Sequence, residues 1–436
     1  MLKLLSREKM SVFLVIWLGQ LISILGSIIT NFALDIWIYQ QTSSVTQLSF
    51  LILFSSLPLV IISPFAGVIV DHGNRRWIMI LCDFGSALST LTIAILFFIG
   101  TIQIWHIYLA SALISSFAAF HIPAYNAATT LLVPKQHLGR ASGMNHLAIA
   151  TGQLFAPILG GVFLGLIKLS GIFLLDLSSF IFAFITLLLV RFPNYKVTQK
   201  PNLNKNSLLT QTFYGFHYLR VRPGLMALLL LFTTNNFLIG IVQVLMYPLV
   251  LSFASQSQLG TIMSFGGVGM LIGSIVMSTL GNEQKKYINI LFICMPLWGF
   301  SIILAGLYPS VYICAIAAFL FFLGLPFINT CSTVIFQKKV APDSQGRVFA
   351  FKNAISISCL PIAYPLAGLL ADKVFEPLMK INSPLVGTIG QVIGTGPGRG
   401  IGFMFTILGG LIILISFIAY QYAPLRLVEH TLPDAF

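Results

Sequence analysis

Charged residues are scarce in this sequence of 436 residues. Asp, Glu, Lys and Arg make up 8% of it, and only 11 residues are acidic. A soluble domain carries roughly 25% charged residues, because a surface that faces water needs them. The shortage of charge therefore excludes an ordinary soluble fold. Because 57% of the residues are hydrophobic, we expect a lipid bilayer to cover most of the surface.

Paired cysteines and catalytic clusters are also lacking. The five cysteines lie in or beside apolar stretches, without the spacing of a metal site, so we expect them to be small buried hydrophobic residues. The glycine-rich stretch 394–400 lacks the preceding strand and the Lys-Ser/Thr pair of a phosphate-binding loop. We therefore predict neither an enzyme nor a bound cofactor or metal, and no ATPase partner is required.

The apolar residues fall into twelve segments, each long enough for a bilayer core, which needs about 20 residues. They span 12–38, 46–71, 77–100, 104–132, 141–167, 171–191, 224–252, 258–281, 287–306, 310–337, 347–375 and 400–423. We predict an all-α membrane protein with 12 transmembrane helices in two pseudo-symmetric six-helix bundles. These bundles would comprise residues 1–191 and 224–436, joined by a polar cytoplasmic linker, residues 192–223.

The net charge of +13 is better explained by orientation in the membrane than by nucleic-acid binding, which such a charge can otherwise indicate. If the N-terminus is cytoplasmic, four of the 24 Lys and Arg residues lie outside and 20 inside. The four are Lys168, Lys373, Lys380 and Arg399. Because cytoplasmic loops are enriched in Lys and Arg, we predict a bacterial inner-membrane protein with both termini cytoplasmic and no nucleic-acid partner.

The two halves repeat short motifs at nearly constant spacing. Residues 123–126, Pro-Ala-Tyr-Asn, match residues 326–329, Pro-Phe-Ile-Asn, with an offset of 203. Further matches downstream, such as Pro157 with Pro365, have offsets of 207 or 208. Duplicated membrane bundles place a substrate site near mid-membrane, where the repeats meet. The repeats thus predict such a site here.

Asp35 is the acidic residue that we single out for function. It ends a stripe of polar residues at i, i+4 spacing on the first segment, which also contains Asn31 and is expected to face the bundle interior. A charge inside a bilayer costs at least a few kcal/mol, so Asp35 could exchange a proton or pair with a cationic substrate. The alternative is a hydrated carboxyl at the outer end of the helix. We expect another acid, Asp176, to pair with Lys168.

Further polar residues are expected to line the same cavity as Asp35. Asn236 and Gln243 belong to the seventh segment, while His121 and Tyr125 lie one turn apart on the fourth. Hydrogen bonds that hold helices together are the alternative role for the two amides. For His121 the alternatives are a proton relay and a packing residue.

Residues 67–76, Gly-Val-Ile-Val-Asp-His-Gly-Asn-Arg-Arg, resemble the signature G-x-x-x-D-x-x-G-x-R-[KR] of the major facilitator superfamily. The resemblance implies the major facilitator fold and a conformational latch on its outward-facing state. The implied latch residues are Gly67, Asp71, Gly73, Arg75 and Arg76. Asp83 could join them through Arg140.

The fifth segment resembles the antiporter motif of the same family, which is associated with exporters. The matching residues are Gly143, Gly152, Ala156, Pro157, Gly160 and Gly161, with Ala156 where glycine is usual. The chain departs from the family in the fourth segment, because no Lys or Arg occurs between Arg76 and Lys135. The arginine that the family ties to proton coupling is therefore absent.

Residues 17–20, 32–35 and 121–126 resemble the macrolide-efflux branch, which is similar to siderophore and peptide natural-product exporters. The resemblance implies a monomeric secondary active transporter with alternating access. It would export a small amphipathic or lipophilic compound, such as a drug, a macrolide-like molecule or a peptidic natural product, by antiport of protons or another cation. The alternatives are a dedicated siderophore or peptide exporter, an importer, and a non-transporting membrane sensor or assembly factor.

Overall fold

The computed structural model describes residues 9–134, 137–190, 208–279, 287–379 and 387–433. Within these ranges the chain is built from helices. In chain order, the first seven are α1 (Lys9–Thr42), α2 (Val45–His72), α3 (Arg75–Ile99), α4 (Ile104–Leu132), α5 (Leu138–Leu166), α6 (Lys168–Leu189) and α7 (Leu208–Arg220). There follow α8 (Pro223–Leu251), α9 (Gln256–Thr279), α10 (Tyr287–Leu307), α11 (Val311–Lys339), α12 (Pro342–Ser358) and α13 (Leu360–Leu370). A π-helical turn (Ala371–Phe375) then leads to α14 (Glu376–Leu378), α15 (Ile389–Ile393), α16 (Arg399–Gln421), α17 (Ala423–Arg426) and α18 (Val428–Thr431).

Twelve helical stretches of the described chain are long and apolar enough to cross a membrane. They are α1 to α6, α8 to α11, the run from α12 to α14, and α16. The prediction of an all-α membrane protein with twelve spans is therefore confirmed. The eleventh span, Arg347–Leu378, passes through the π-helical turn.

The helices form two compact units. Unit 1 comprises Met1–Lys200 together with Gln256–Ser264, the start of α9, and unit 2 comprises Pro201–Ser255 with Phe265–Phe436. In unit 1, α1 packs against α5 and α6, and α4 packs against α2 and α3. In unit 2, α10 packs against α11 and α16, and α8 packs against α13. The two units thus have separate helical cores.

A helix lies within the predicted linker. The sequence predicts a polar linker over residues 192–223, and α7 occupies 13 of these residues, Leu208–Arg220. Its Tyr214 hydroxyl lies 2.7 Å from Ser344 Oγ, and the Arg347 guanidinium lies 4.0 Å from the centre of the Tyr214 ring. Packing of aromatic side chains against α12 therefore stabilises a helix that is too short and too polar to recognise from its hydropathy.

The motif repeat is matched by the helices themselves. α4 and α11 each contain 29 residues and an internal proline, Pro123 and Pro326 respectively. Their first residues, Ile104 and Val311, are 207 apart, and so are their last residues. These two equivalent helices thus begin and end at matching positions.

The last described helices hold the ends of two spans in unit 2. The Glu429 carboxylate accepts hydrogen bonds from the backbone N–H groups of Tyr287 and Ile288 at the start of α10, at 3.3 and 2.9 Å. Lys339, at the end of α11, donates to the carbonyl oxygens of Glu429 and Leu432, at 2.6 and 2.5 Å. Since a helix start offers unpaired N–H groups, the Glu429 side chain acts as a cap supplied from elsewhere in the chain.

Glycines bring α10 and α16 into backbone contact. A Cβ atom added at Gly299 would lie 2.5 Å from Gly409 O, and one added at Gly402 would lie 2.6 Å from Gly306 O. On each helix the two glycines are seven residues apart, or two turns, so both contacts lie along one seam. Lipid supplies no hydrophobic drive for helices to associate, so close packing of small residues is what holds such helices together.

We predict that Gly409→Val destabilises the protein and that Gly410→Val does not. At Gly409 the added side chain meets backbone, whereas nothing lies within 4 Å of a Cβ at the exposed Gly410. Overpacking of this kind typically costs about 1–3 kcal/mol. The measurement is the thermal unfolding midpoint of the purified protein in detergent. Equal midpoints for the two variants would contradict the seam.

Candidate functional site

A buried carboxylate, Asp83, joins three helices of unit 1. Gln20 of α1 donates from Nε2 to Asp83 Oδ2 at 3.2 Å, and His121 Nε2 of α4 lies 3.2 Å from Asp83 Oδ1. Asp83 is on the buried face of α3, in line with Met79 and Ser86, and is 6% exposed. A carboxylate with an imidazole partner can hold or release a proton without leaving an isolated charge inside the membrane.

Contacts continue from His121 to α5 through one ring pair and one hydrogen bond. The His121 and Tyr125 rings are nearly parallel, at 11°, with centroids 6.3 Å apart. The Tyr125 hydroxyl donates to Asn145 Oδ1 at 2.9 Å. The chain Gln20–Asp83–His121–Tyr125–Asn145, here called the polar relay, therefore crosses four helices of unit 1. The sequence analysis identified His121 and Tyr125 as candidate site residues but not Gln20 and Asn145. Each of these two is a single amide side chain among mostly apolar residues, which does not by itself indicate a site.

Asp35 lies on α1, away from the residues of the polar relay. Along the predicted stripe, Ser23 is buried, Asp35 is half-buried and Asn31 is exposed. That Asn31 lines a cavity stays a prediction, since an exposed side chain can face either lipid or a water-filled cavity. Asp35 keeps an intermediate position, from which a carboxylate can be reached by water or by a substrate.

A second buried carboxylate, Asp176, lies on α6 and is 2% exposed, while Lys168 at the start of the helix is exposed. The ion pair that we expected between them is wrong, because residues eight positions apart lie about 12 Å apart along a helix axis. Hydroxyl groups from α1, α3 and α6 lie beside the Asp176 carboxyl group instead, among them Ser27 Oγ at 3.4 Å from Oδ1.

The predicted amides of the seventh span belong to α8 in unit 2. Asn236 donates from Nδ2 to the Ser356 carbonyl oxygen at 3.0 Å, while Gln243 is exposed. The neighbouring Asn235 is 2% exposed, and its Nδ2 donates to the Leu231 carbonyl oxygen at 2.9 Å. Asn236 thus makes a contact between α8 and α12 of the packing kind that we considered as its alternative role.

The latch motif caps the start of α3 and joins it to the end of α6. Asn74 begins α3 by accepting from the backbone N–H of Arg76. Arg76 in turn donates to the carbonyl oxygens of Leu187 and Leu188, at 3.1 and 2.9 Å. Gly73 ends α2, and Arg75 beside it is half-buried. A cation at the unpaired carbonyls of the last turn of α6 is favourable, since that end carries partial negative charge.

The remaining latch residues divide into three groups. The side chain of Asp71 lies outside the described part of the chain. Nothing lies within 4 Å of a Cβ at Gly67, so this glycine is not part of a close contact. Arg140 is exposed, whereas Asp83 is buried against Gln20 and His121. The expected link from Asp83 through Arg140 is therefore wrong, because Asp83 faces the interior of unit 1.

The helix-five motif packs against α1. A Cβ added at Gly152 would lie 2.5 Å from Ile28 Cδ1, and one at Gly160 would lie 2.7 Å from Phe32 Cδ1. Ala156, between them in the motif, is fully buried. These residues leave room for the bulky side chains of α1, which explains the need for small residues at this spacing.

The same motif also touches the start of α9, which belongs to unit 1. A Cβ at Gly161 would lie 2.7 Å from the Gln256 carbonyl oxygen, and one at Gly260 would meet the Pro157 carbonyl oxygen. The backbone of α5 and the backbone at the start of α9 are therefore in direct contact. Gly143, by contrast, is exposed with nothing within 4 Å of its Cβ position, so it takes no part in this packing.

Comparisons with known proteins agree with this architecture. Residues 16–364 match the sequence profile of the Major Facilitator Superfamily. Macrolide efflux protein A of Streptococcus pyogenes is 29% identical over 368 residues, which cover 83% of this chain and 90% of that protein. The enterobactin exporter EntS of Salmonella choleraesuis is 24% identical over 310 residues, covering 68% of this chain and 73% of that protein.

A solved structure shares the fold. A bacterial homologue of the human lysosomal transporter Spinster superposes with a TM-score of 0.67 at 16% identity, covering 95% of this chain and 97% of that one. The family profile covers most of the sequence. The described part of the chain has twelve helical stretches that can span a membrane. The chain is therefore a multi-pass membrane transporter, not an enzyme, and belongs to the major facilitator superfamily.

Proposed function

We propose that this transporter exports a small amphipathic or lipophilic compound by proton antiport with alternating access. The observation that carries the proposal is the polar relay, in which Asp83 and His121 lie 3.2 Å apart within the spans of unit 1. An ionisable residue inside a membrane is costly and usually marks an ion or substrate pathway. The relay provides a proton-exchanging group although the arginine usual in the fourth helix is absent.

The relatives support the proposed direction of transport and the proposed class of substrate. Two of them are named for the export of a macrolide and of enterobactin. The 37 phenylalanines in the sequence supply apolar surface for a lipophilic molecule. A macrolide-like compound is our first candidate, and a siderophore or a peptidic natural product is the second.

The setting of this function is also proposed. The excess of Lys and Arg in alternate loops supports cytoplasmic termini in a bacterial inner membrane. We infer that the chain works as a monomer and that the membrane potential contributes about 2.3 kcal/mol per charge per 100 mV to each cycle. A non-transporting sensor of the same fold would show no flux that depends on the substrate.

We predict that Asp83→Asn and His121→Gln uncouple transport. Each substitution keeps polar contacts but removes the proton-exchanging group. Uptake of a macrolide into proteoliposomes with an acidic lumen should fall by about tenfold or more, equivalent to about 1.4 kcal/mol. Exchange of labelled for unlabelled macrolide at equal pH should persist, because it needs no proton.

The matched control for the relay is His106→Gln, on the same helix. His106 accepts from the Gln103 backbone N–H through Nδ1 at 3.0 Å, a capping contact that glutamine can also make. This variant should retain full uptake driven by the pH gradient. If the three variants behave alike, or if exchange is lost together with uptake, the relay is not the coupling group.

We predict that Asp35→Asn abolishes macrolide flux driven by the pH gradient while the protein remains folded in the membrane. A half-buried carboxylate on α1 that exchanges protons or pairs with a cationic substrate cannot be replaced by an amide. The same proteoliposome assay measures the flux, and size-exclusion chromatography of the purified variant checks the fold. Unchanged flux would remove Asp35 from the mechanism.

We predict that Gly161→Val reduces export and that Gly165→Val does not. At Gly161 a side chain would collide with the backbone at Gln256, whereas nothing lies within 4 Å of a Cβ at Gly165, one turn further along α5. The measurement is the macrolide resistance of cells, normalised to the amount of transporter in the membrane. Equal resistance from the two variants would show that the contact between α5 and α9 is dispensable.

A further inference from the structure

The helix α7 lies at the level where two spans of unit 2 begin. Its last residue, Arg220, is three residues before Pro223, where α8 and the seventh span start. A Cβ added at Gly215 would lie 2.6 Å from Phe351 Cβ and 3.2 Å from the Arg347 carbonyl oxygen. Because the eleventh span begins at Arg347, α7 packs against the first turn of that span. The helix therefore lies at the boundary of the bilayer core.

One face of α7 is fixed to α12 by two tyrosines. The Tyr214 hydroxyl lies 2.7 Å from Ser344 Oγ. The Tyr218 hydroxyl accepts a hydrogen bond at 3.1 Å from the backbone N–H of Ala341, the residue just before α12. Leu219, on the same side of the helix, is fully buried. These contacts set the orientation of α7 about its own axis, so its other face has a defined direction.

The other face of α7 combines exposed apolar and basic side chains. Phe216 is 42% exposed, and Val221, just after the helix, is 61% exposed. His217 and Arg220 are exposed beside them. Because a helix turns once in 3.6 residues, all four lie on the side away from Leu219. At a bilayer boundary, such apolar side chains contact acyl chains while the basic ones stay among the headgroups. This composition therefore suits a membrane surface better than aqueous solution.

The charge of the segment that contains α7 favours acidic lipid. Residues 192–223 include five Lys and Arg residues, and the sequence has no Asp or Glu between Asp176 and Glu283. Arg222 lies at the N-cap of α8, one residue before the seventh span begins. Clusters of about four to eight Lys or Arg residues beside a span or on an amphipathic helix attract acidic phospholipids. A phosphate headgroup would therefore meet positive charge here and no carboxylate from the same segment.

We propose that the exposed face of α7, formed by Phe216, His217, Arg220 and Val221, is a docking surface for an acidic phospholipid of the adjacent leaflet. Arg220 pairs with the phosphate, and His217 donates a hydrogen bond to it. Phe216 and Val221 contact the upper part of the acyl chains. The bound lipid holds α7 against the start of the eleventh span. This surface is separate from the polar relay, and its occupancy can be measured without transport.

The test is photo-crosslinking of the full chain in nanodiscs of phosphatidylcholine that contain a trace of photoactivatable phosphatidylglycerol. Mass spectrometry of the peptide that contains α7 measures the labelling. We expect labelling of this peptide, and we expect unlabelled phosphatidylglycerol to suppress it in a saturable way as its mole fraction rises. A photoactivatable phosphatidylcholine should label the peptide far less. Equal labelling by the two lipids, or no labelling of α7, would overturn the proposal.

Charge variants locate the phosphate contact. In Arg220→Gln the mole fraction of phosphatidylglycerol that half-suppresses labelling should rise about fivefold, equivalent to about 1 kcal/mol for one basic residue near the surface. Arg220→Lys should behave like the unaltered protein, because it keeps the charge. The matched control is Lys168→Gln, which removes an exposed positive charge at the start of α6. It should leave the labelling of α7 unchanged. If Arg220→Gln and Lys168→Gln give the same result, the surface is not on α7.

Two further measurements separate a lipid surface from a site for a free anion. Val221→Ser keeps every charge and removes an exposed apolar group, so the half-suppressing fraction of phosphatidylglycerol should rise about threefold. Glycerol 1-phosphate, which has the headgroup phosphate without acyl chains, should not suppress the labelling. Suppression by glycerol 1-phosphate, or an unchanged Val221→Ser, would reject the lipid surface. Neither measurement depends on macrolide transport, so a failure here leaves the proposed export function standing.

Discussion

The cost of placing a charge where water cannot solvate it governs the interior of this protein. The sequence has only 11 acidic residues in 436, and two carboxylates within the spans of unit 1 have identified partners. Asp83 faces an amide and an imidazole, whereas Asp176 faces hydroxyls. The two carboxylates are thus held by chemically different partners within one bundle.

Backbone proximity is the second organising feature. Glycines allow α10 to meet α16 in unit 2, and they allow α5 to meet α1 and the start of α9 in unit 1. Because apolar side chains gain nothing by leaving lipid, dense packing between such helices supplies the attraction. Gly152, Gly160 and Gly161 of the helix-five motif are thus explained by the space available at each position.

The twelve spans could be predicted because length and hydropathy are local properties of the chain. Side-chain partners are not local. Asp83 lies close to the latch arginines in sequence, but its position on the buried face of α3 turns it toward Gln20 and His121. His121 and Tyr125 could be identified because they are polar and lie one turn apart on α4. The helix α7 was missed because its aromatic contacts with α12 come from a distant part of the sequence.

The contacts of Glu429 and Lys339 have a practical consequence for engineering the chain. The segment after α16 supplies the cap of α10 and the oxygen partners of a buried lysine. A fusion partner or purification tag that replaces the chain from residue 429 onward would remove both, leaving two helix-end amides and an ammonium group without these partners. The C-terminal segment is therefore a structural component of unit 2, and shortening it would be felt at helix ends more than 90 residues earlier in the sequence.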